Sequence, residues 1–579
     1  MDLLRSVKDQ TDDTEFYTPF PPGYVRGGTK YVVVFGTVIS GLGKGIFSSS
    51  LAKLLKDKGL KVSPIKLEGY LNIDSGTLNP IRHGEVFVLD DGMETDMDLG
   101  TYERMLDQDL TGANFATSGQ IYRAVLDKER AGSYLGRDVQ MIPHVTGEVK
   151  LRLRELAVQS GADVVFVEVG GTVGDIENAF YIEALRELSY EEGEGTVLFV
   201  ALTYVLHPPA LGEQKSKAAQ LGIKRLMEFG IHPHIIGCRA ESEVGAKVRQ
   251  KIAVYTNVPF QRVFSMHDLP SIYLLPGAMR KACLDSEVVQ LLNLGARVQS
   301  AADAHAAIEW ERFTSRITGT DKEVTIGITG KYTALRDSYA SILKALEHAG
   351  AAHTAKVNVQ WIDTTDLTAE KVPDALAGCD GIIVPGGFGV RGTGGKVACI
   401  RHARENGLPY LGICLGFQMA VVEYARNVCD LADADSTELN PDGPTPVISI
   451  LPEQKRIEGL GGNMRLGGQE VEITPGTLAA ELFGSAGRIR QRFRHRFEVD
   501  PQYIQTLEAA GMVFSGRHPQ HPIMQILELP RDVHPYFIAS QFHPELTSRP
   551  LRPQPMFTGL LAAALERQRA SRDEAVSAG

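Results

Sequence analysis

The sequence contains no run of about 18 apolar residues, the length that a membrane-spanning helix needs. Its first residues, MDLLRSVKDQTDDTEF, are polar and acidic and lack the apolar core of a signal peptide. Cysteine is scarce, with 6 in 579 residues and no C-x-x-C pair, so we expect reduced thiols and neither disulfides nor a zinc site. These absences predict a cytoplasmic protein that contacts no membrane.

Positive charge is also in deficit. Lysine and arginine number 60 against 71 aspartates and glutamates, which gives a formal net charge of -11. A protein that binds nucleic acid neutralises phosphates with clustered basic side chains, so we expect no nucleic-acid partner. Any ligand that carries phosphate must therefore be held by a few local groups.

The chain is long enough for two domains. With 579 residues it exceeds the size at which a single hydrophobic core divides. Strand-like apolar runs alternate with helical patterns in both halves, which is typical of α/β domains with parallel sheets. The predicted strands are 31–35, 62–66, 164–169, 197–202, 235–238, 324–329, 357–362, 381–384 and 409–413.

Shifts in composition predict the domain limits. They are an N-terminal extension (1–28), a first domain (29–290), an interdomain linker (291–320), a second domain (321–566) and a tail (567–579). The linker shows helical periodicity and lacks the glycine-bounded apolar runs that are typical of strands. The extension is polar and has no assigned role, and we expect the tail to be disordered.

Cys414, in the segment YLGICLGFQ, carries the strongest functional signal. An apolar run leads into it, and Gly416 and a helical pattern follow, which is the pattern of a strand-to-helix elbow that presents a nucleophile. A cysteine at a helix N-terminus and close to a histidine favours the thiolate form. His543 and Glu545, in SQFHPE, lie two residues apart, so the carboxylate can orient the imidazole as a base.

A third element favours this interpretation over a buried structural cysteine, which is the usual role of a lone cysteine. In the segment IIVPGGFGVRG, a strand ends in Gly386 and Gly387. Consecutive glycines after a strand expose backbone N–H groups, which are the donors of an oxyanion hole. A nucleophile, a base, an orienting acid and oxyanion donors are then all available.

The region from about Glu323 to Ala564 resembles the class I (triad) glutamine amidotransferases, which hydrolyse glutamine to glutamate and ammonia through a thioester. The resemblance implies a catalytic triad and an oxyanion hole at Cys414, His543, Glu545, Gly386 and Gly387. It also implies that the substrate glutamine is bound by Gln418, Glu438 and Arg496. Such a domain needs an ammonia acceptor elsewhere in the chain.

The first half opens with a candidate phosphate loop, YVVVFGTVISGLGKG. Backbone N–H groups at the start of the following helix can bind phosphate oxygens, and Lys44 adds a positive charge. The loop is not a strict P-loop, because Val38 stands where the first glycine belongs and Gly45 follows Lys44. A plain strand–helix turn is the alternative, but a loop after the first strand of a doubly wound sheet is where nucleotides bind.

Acidic segments supply candidate metal ligands. Asp98 in DDGMETDMDLG and Glu168 in VEVGGTVGDIEN form the best pair for Mg²⁺, whereas Asp91 and Asp96 are expected to be solvated loop charges. Asp74 is a further candidate.

A basic cluster follows in the first half. Lys215, Lys217 and Lys251 either grip a second triphosphate or form a solvated face.

Residues 29–290 resemble the synthetase (amidoligase) domain of the CTP synthase family, a doubly wound P-loop-like domain, and the second half matches the glutaminase domain of the same family. The most specific segments are HGEVFVLDDGMETDMDLGTYERML, VEVGGTVGDIEN, GICLGFQ and QFHPE. The resemblance implies that ATP phosphorylates O4 of UTP and that ammonia, released from glutamine and channelled between the domains, displaces the phosphate to give CTP.

The same resemblance assigns roles residue by residue. ATP contacts are Ser40, Gly43, Lys44, Lys66 and Asp98, and Lys66 also lies on the reaction path. Mg²⁺ ligands are Asp98 and Glu168. Contacts to UTP or to inhibitory CTP are Ser40, Asp175, Glu177, Lys215, Lys217, Gln220 and Lys251. The ammonia tunnel opens at Pro80, His83 and Val86, GTP acts as an activator through the loop of Arg391, and the assembly is a homotetramer.

Four motifs depart from the family pattern. Thr37 replaces one of two adjacent glycines in the phosphate loop, which restricts positive φ. KLEGY replaces KLDPY, PHVTGEV replaces PHITDAI or PHITNAI, and KSKAAQL replaces KTKPTQH. These changes leave two alternatives open, namely the same mechanism on a different pyrimidine nucleotide in a specialised pathway and a weakly active paralogue that acts by assembly or regulation.

Overall fold

The computed structural model describes residues 17–320, 322–331, 336–387, 389–450 and 464–578. The chain divides into two compact units. The first comprises Met1–Thr77 and Thr101–Arg312, and the second comprises Leu78–Gly100 and Phe313–Gly579. The second unit therefore includes a segment from the half of the sequence that we expected to form one contiguous first domain.

Strands and helices alternate along the chain. In order, the strands are β1 (Lys30–Gly36), β2 (Val62–Glu68), β3 (Val86–Val88), β4 (Glu94–Asp96), β5 (Phe115–Thr117), β6 (Val164–Val169), β7 (Val197–Tyr204), β8 (Ile235–Ala240), β9 (Val263–His267), β10 (Lys322–Gly330), β11 (Ala355–Asp363), β12 (Gly381–Val384), β13 (Tyr410–Ile413), β14 (Ala434–Ser436), β15 (Thr445–Ser449), β16 (Arg465–Ile473), β17 (Arg488–His495), β18 (Glu498–Val499), β19 (Val513–Arg517), β20 (Met524–Glu528) and β21 (Phe537–Ser540).

The α-helices are, in order, α1 (Lys44–Asp57), α2 (Pro80–His83), α3 (Met97–Leu106), α4 (Ser118–Arg130), α5 (Thr146–Ser160), α6 (Ala179–Glu192), α7 (Lys217–Glu228), α8 (Ala246–Thr256), α9 (Leu275–Lys281), α10 (Leu284–Leu291), α11 (Ser300–Thr318), α12 (Ala340–His353), α13 (Val372–Ala375), α14 (Thr393–Glu405), α15 (Leu415–Asn427), α16 (Leu478–Leu482), α17 (Ile504–Ala509) and α18 (Pro555–Ala578). Among the described residues, no helix has the length and apolar character needed to cross a membrane.

The first unit is built on a parallel sheet in the order β5-β2-β6-β1-β7-β8-β9. Tyr31–Phe35 of β1 are fully buried, as expected for a central strand covered by helices on both faces. From β1 the chain passes to β2 on one side of it, and after β6 it crosses to β7 on the other side. The carboxyl end of β1 therefore borders the switch point where ligands bind in such folds. The predicted doubly wound α/β fold is confirmed for this unit.

The second unit contains a nine-stranded sheet in the order β11-β10-β12-β13-β21-β20-β19-β16-β17. The strands from β11 to β21 pair in parallel, and the strands from β20 to β17 continue the sheet in antiparallel fashion. A smaller sheet (β14-β15-β18) and the hairpin β3-β4 complete the unit. The α/β fold predicted for the second half is confirmed.

Helix α11 confirms the helical periodicity predicted for the linker. Within the first unit, a partly buried network of charges holds this helix. Lys58 Nζ lies 2.8 Å from a carboxylate oxygen of Asp285 and 2.7 Å from one of Asp303, and Arg280 approaches Asp303 at 2.6 Å. The indole N–H of Trp310 donates to the Tyr273 carbonyl at 2.9 Å. The start of the predicted linker is therefore part of the first unit's structure.

The prediction of a disordered tail from residue 567 is wrong, because α18 extends to Ala578. Arg567 donates to the carbonyls of Asn406 and Gly407, and the amide of Gln568 donates to the carbonyl of Glu323. The polar composition of this segment gave no sign of these anchoring hydrogen bonds.

The described part of the N-terminal extension lies against α5 and α6. The guanidinium of Arg154, which is fully buried, lies 4.1 Å from the centre of the Phe20 ring and donates to the Pro19 carbonyl. It also pairs with Glu191 and Glu192 at 2.7 and 2.8 Å. A buried guanidinium is stable only when it is paired in this way, so the extension is fixed to the domain.

Tyr17 of the extension explains one departure from the family pattern. Its ring stacks on His144 and lies so close to α5 that a Cβ at Gly147 would come within 2.3 Å of the ring carbon Cδ1. Position 147 is the aspartate or asparagine of PHITDAI and PHITNAI. Glycine at this position therefore makes room for the extension.

We predict that Gly147→Asn will destabilise the first unit by about 1–3 kcal/mol, because the new side chain overlaps Tyr17. The measurement is the midpoint of thermal unfolding. The loss should shrink when Gly147→Asn is combined with Tyr17→Ala. Gly277→Asn is the matched control, since a Cβ at that helical glycine meets no atom within 4 Å. An equal loss in the wild-type and Tyr17→Ala backgrounds would contradict this explanation.

Candidate active sites

Cys414 lies at a sharp elbow between β13 and α15. Its backbone has φ 53° and ψ -101°, a strained conformation for a residue with a side chain, and the residue is only 3% exposed. The Cys414 N–H donates to the Ser540 carbonyl at 2.7 Å, which ties the elbow to β21. At Gly416 a Cβ would come within 2.0 Å of the Val384 carbonyl oxygen, so only glycine allows α15 to begin here.

His543 and Glu545 form a hydrogen-bonded pair beyond the end of β21. His543 Nδ1 and Glu545 Oε1 are 2.7 Å apart, and the backbone N–H of His543 donates to the Arg492 carbonyl. Burial alone would lower the pKa of His543, but the charges of Glu545 and Cys414 raise it above its ordinary value of 6.5. A protonated imidazole beside the cysteine favours an ion pair with a thiolate.

Gly386 lies next to both Cys414 and His543. A Cβ at this position would be 3.1 Å from His543 Cε1 and 3.4 Å from Cys414 Cβ. The predicted nucleophile, base, orienting acid and first oxyanion glycine are therefore together in the structure. Gly387 follows in the same loop, and the N–H of Gly389 beyond it donates to Glu438 at 2.8 Å.

The residues predicted to bind glutamine have distinct environments. The buried amide nitrogen of Gln418 donates to the Phe497 carbonyl at 2.9 Å and lies 3.2 Å from Gln541 Oε1. Glu438 holds the loop after β12 by accepting a hydrogen bond from the Gly389 N–H. Arg496 follows β17 and is partly exposed. Sequence analysis missed Gln541, which lies in the segment SQFHPE and links the end of β21 to α15 through Gln418.

The backbone of strand β17 contacts both Cys414 and His543. The Cys414 thiol donates to the Arg494 carbonyl at 3.6 Å, and the Arg492 carbonyl accepts from His543 N–H. Its arginine side chains hold the segment Leu78–Gly100. Arg490 makes a two-pronged pair with Asp90, with contacts of 2.8 and 3.0 Å, and Arg494 binds Glu94 at 2.7 Å.

Part of the acidic segment DDGMETDMDLG, which we interpreted as a source of metal ligands, pairs with arginines. Within the second unit, Asp90 and Glu94 are partners of arginines, and Glu85 accepts from the Ser341 N–H at 2.9 and 3.0 Å. The tunnel residues predicted from the resemblance lie in the same segment. His83 is exposed at the end of α2 and Val86 begins β3, whereas the side chain of Pro80 lies outside the described residues.

The phosphate loop connects β1 to α1. Val38, Gly41 and Gly43 all have left-handed backbones, with φ of 75°, 71° and 78°. A β-branched residue in this conformation is strained, which is common at ligand sites. The predicted difficulty at Thr37 does not arise, because its hydroxyl donates to the Leu202 carbonyl and the left-handed turn falls on Val38.

Lys44 lies across this loop. Its Nζ donates to the Gly171 carbonyl at 2.9 Å and would be 3.0 Å from a Cβ at Gly36. Ser40 is exposed in the loop and Gly43 caps α1. A pocket opens beside the loop, and sequence reasoning missed the residues on its far side, Arg239, Met266 and His267.

Lys66 is buried at the carboxyl edge of the first sheet. Its Nζ lies 3.2 Å from Glu68 Oε1 and 3.4 Å from Glu168 Oε1, and the Tyr102 hydroxyl donates to Glu168 at 3.0 Å. Buried charges need such pairing. A Cβ at Gly69 would come within 2.4 Å of Asn178 Oδ1, which explains why glycine replaces proline in KLEGY.

The predicted Mg²⁺ pair falls in different compact units, with Glu168 in the first and Asp98 in the second. Asp98 N–H donates to Asp96 at 2.9 Å. Within the described ranges, no cluster of three or more histidine, cysteine, aspartate or glutamate side chains could hold a metal ion.

The lysines predicted to bind the triphosphate lie in or next to α7 and α8. Lys215 precedes α7, Lys217 begins it, and Lys251 lies in α8. Lys217 and Lys224 lie over the Tyr255 ring at 5.4 and 4.6 Å, and Lys215 pairs with Glu213. A hydrogen bond and the charge of Lys215 lower the pKa of Glu213, and Lys251 adds to this effect. Sequence reasoning missed Lys224 and Tyr255.

Of the other predicted UTP contacts, Gln220 lies in α7 and Asp175 and Glu177 lie in the segment before α6. The Gln220 amide donates to the Ser216 hydroxyl at 3.1 Å. Asp175 and Glu177 are exposed, and Asp175 accepts from the Thr172 N–H at 2.8 Å.

Arg391, which the resemblance assigns to a GTP-responsive loop, lies close in sequence to Gly386 and Gly387. Its guanidinium donates to the Lys331 carbonyl at 3.0 Å. Burial and the charge of Arg391 lower the pKa of Lys331.

Comparisons with known proteins agree with this geometry. Residues 30–294 match the family model described as CTP synthase N-terminus, and residues 334–563 match glutamine amidotransferase class-I. The CTP synthase of Archaeoglobus fulgidus is 48% identical over 93% of this chain and 99% of its own length. That of Thermococcus gammatolerans is 49% identical over 93% of this chain and 99% of its own length.

Among solved structures, the glutaminase domain of Trypanosoma brucei CTPS with bound acivicin is 36% identical, with a TM-score of 0.40. It covers 42% of this chain and 94% of its own. Because the sequence relatives extend over both units at nearly half identity, the chain belongs to the CTP synthase family.

Proposed function

We propose that this protein is a glutamine-hydrolysing CTP synthase, which aminates UTP to CTP at the expense of ATP. The observation that carries the proposal is one chain with a cysteine–histidine–glutamate triad in one unit and a lysine-bearing phosphate loop in the other. Relatives named CTP synthase align with 93% of the chain, so both halves of the reaction are accounted for.

Glutamine hydrolysis begins with the thiolate of Cys414, which attacks the carboxamide carbon of glutamine. Negative charge develops on the carboxamide oxygen and is stabilised by N–H groups of the loop at Gly386 and Gly387. His543 transfers its proton to the leaving nitrogen, so ammonia departs and a thioester remains. His543 then takes a proton from water, which attacks the thioester and releases glutamate. Gln418, Glu438 and Arg496 bind the glutamine.

In the synthetase reaction, the γ-phosphoryl group of ATP is transferred to O4 of UTP, which makes that oxygen a good leaving group. Ammonia then forms a bond to C4, and phosphate leaves with the C4–O bond electrons. Lys44 and Lys66 stabilise the charge of the transferring phosphoryl group. Ser40, Gly43 and Asp98 complete the ATP contacts.

Glu168 and Asp98 would hold Mg²⁺. Glu168 and Glu68 are carboxylates at the same sheet edge, and carboxylate oxygens with phosphate oxygens are the ligands that Mg²⁺ prefers. When bound, the ion would offset phosphate charge.

The base and triphosphate of UTP are recognised in the first unit. Asp175 and Glu177 bind the pyrimidine and ribose, and the triphosphate is held by Lys215, Lys217, Gln220 and Lys251. Inhibitory CTP uses the same contacts. GTP activates glutamine hydrolysis through Arg391, and the protein acts as a cytoplasmic homotetramer.

The departures from the family pattern do not favour a different nucleotide. Gly69 and Gly147 are explained by close contacts with Asn178 and Tyr17. In KSKAAQL, Ala219 is part of the hydrophobic core and Leu221 is exposed. The charged groups proposed for the triphosphate are retained, so UTP remains the proposed acceptor.

We expect Cys414→Ala to abolish CTP formation from glutamine, with a loss of about 10⁴-fold or more, and to retain CTP formation from ammonium salt. The thiol is needed only to release ammonia. Cys379→Ala, which changes another buried cysteine of the second unit, should retain both activities. Glutamine-dependent synthesis that survives in Cys414→Ala would disprove the assignment of the nucleophile.

Lys44→Ala should eliminate ATP hydrolysis that depends on UTP, because the transferring phosphoryl group loses a cation contact. Hydrolysis of glutamine should remain. Lys53→Ala is the control, since this buried lysine of the same helix pairs with Asp57 at 2.8 Å and has no proposed role in phosphate transfer. Normal ATP turnover in Lys44→Ala would place the ATP site elsewhere.

Glu94→Gln should lower the number of CTP molecules formed per glutamine hydrolysed. The change removes the charge that pairs with Arg494 and loosens the segment that bears the proposed tunnel residues. Ammonia would then be lost to solvent, whereas glutamine hydrolysis and ammonium-dependent synthesis measured separately should persist. A variant that forms as many CTP molecules per glutamine as the wild type would show that this ion pair has no part in ammonia transfer.

A further inference from the structure

Lys396 is a buried lysine behind the loop of Gly386 and Gly387, and the proposed mechanism does not use it. It lies in the first turn of α14 and is 2% exposed. Both circumstances are unfavourable, because burial penalises an ammonium group and the N-terminal end of a helix carries partial positive charge. A residue that costs stability in two ways calls for a compensating role.

The contacts of Lys396 point to the oxyanion loop. Its Nζ donates to the Pro385 carbonyl at 2.9 Å and would lie 4.0 Å from a Cβ at Gly387. Because a peptide unit is planar, the Pro385 carbonyl and the Gly386 N–H share one plane and point in opposite directions. A hydrogen bond that fixes this carbonyl therefore fixes the direction of the Gly386 N–H.

The loop needs such a restraint because glycine is conformationally permissive. Gly386 leaves room for its neighbours, since a Cβ there would be 3.1 Å from His543 Cε1 and 3.4 Å from Cys414 Cβ. The freedom of Gly386 and Gly387 has to be limited by neighbours if the N–H groups are to be preorganised. Glu438 holds the far end of the loop at Gly389, and Lys396 holds the near end at Pro385.

The electrostatic surroundings agree with this geometry. Burial and the neighbouring charge of Lys331 lower the pKa of Lys396 to about 7, whereas Cys414 and Cys399 act in the opposite direction. The cation is thus most stable when the nucleophile beside it is anionic. A hydrogen bond from a cation to a carbonyl also polarises the peptide, which strengthens its N–H as a donor.

We infer that Lys396 is a positioning residue for glutamine hydrolysis, which fixes the Pro385–Gly386 peptide so that the Gly386–Gly387 loop receives the oxyanion. The inference rests on the proposed glutaminase function. The residue touches no substrate in this account and acts through the loop.

The test compares Lys396→Met, which removes the donor, with Lys396→Gln, which keeps one. Oxyanion stabilisation operates in the transition state, so kcat for glutamine hydrolysis should fall about tenfold or more in Lys396→Met with KM nearly unchanged. Lys396→Gln should be intermediate. Arg401→Met, which changes an exposed cation of the same helix, should match the wild type.

A loss of kcat below about threefold in Lys396→Met would overturn the inference, as would equal damage in both variants with KM raised. Should Lys396→Met not fold, Lys396→Gln decides alone. A kcat reduced by about threefold at constant KM supports the inference, and a kcat equal to the wild type overturns it. Cys414→Ala in the same assay separates the two claims, because retained hydrolysis there would remove the proposed function itself.

Discussion

The parallel pairing of β13 with β21 is the constraint on which the glutaminase site depends. Ile413 and Ser540 are in register at the carboxyl ends of the two strands, and Cys414 N–H donates to the Ser540 carbonyl. Residues distant in sequence are thereby brought to one sheet edge, with Cys414 after one strand and His543 after the other. The loop after β12, the next strand in the sheet, adds Gly386.

Strand β17 extends this arrangement to the segment Leu78–Gly100. Its carbonyls meet Cys414 and His543, and its arginines hold Asp90 and Glu94. The segment comes from the half of the sequence that resembles the synthetase, yet it packs as part of the second unit. An acidic stretch that looks like a set of metal ligands in sequence is in part a set of arginine partners.

The sequence predicted the central strands of both sheets because apolar runs are local signals. The structure also brings Cys414, His543 and Glu545 together, and each of them lies in a short segment that could be recognised locally. Apolar runs marked the central strands, and the elbow at Cys414 follows from a strand, a glycine and a helix in succession. What the sequence could not predict were contacts between distant segments. Such contacts produce no periodic pattern in the sequence. Examples are Tyr17 with Gly147, Arg567 with Asn406, and Lys396 with Pro385. Local patterns can also mislead. We expected strain at Thr37, but the left-handed conformation occurs one residue later, at Val38.

In the proposed reaction, nitrogen released from glutamine at Cys414 reaches C4 of UTP. The most direct measurement supplies the purified protein with ATP, UTP and glutamine labelled with ¹⁵N in its carboxamide, in the presence of unlabelled ammonium salt. We expect CTP whose exocyclic amino group carries mainly ¹⁵N. Unlabelled CTP would show that ammonia does not pass from one site to the other, and the absence of CTP with either nitrogen source would rule out the proposed reaction.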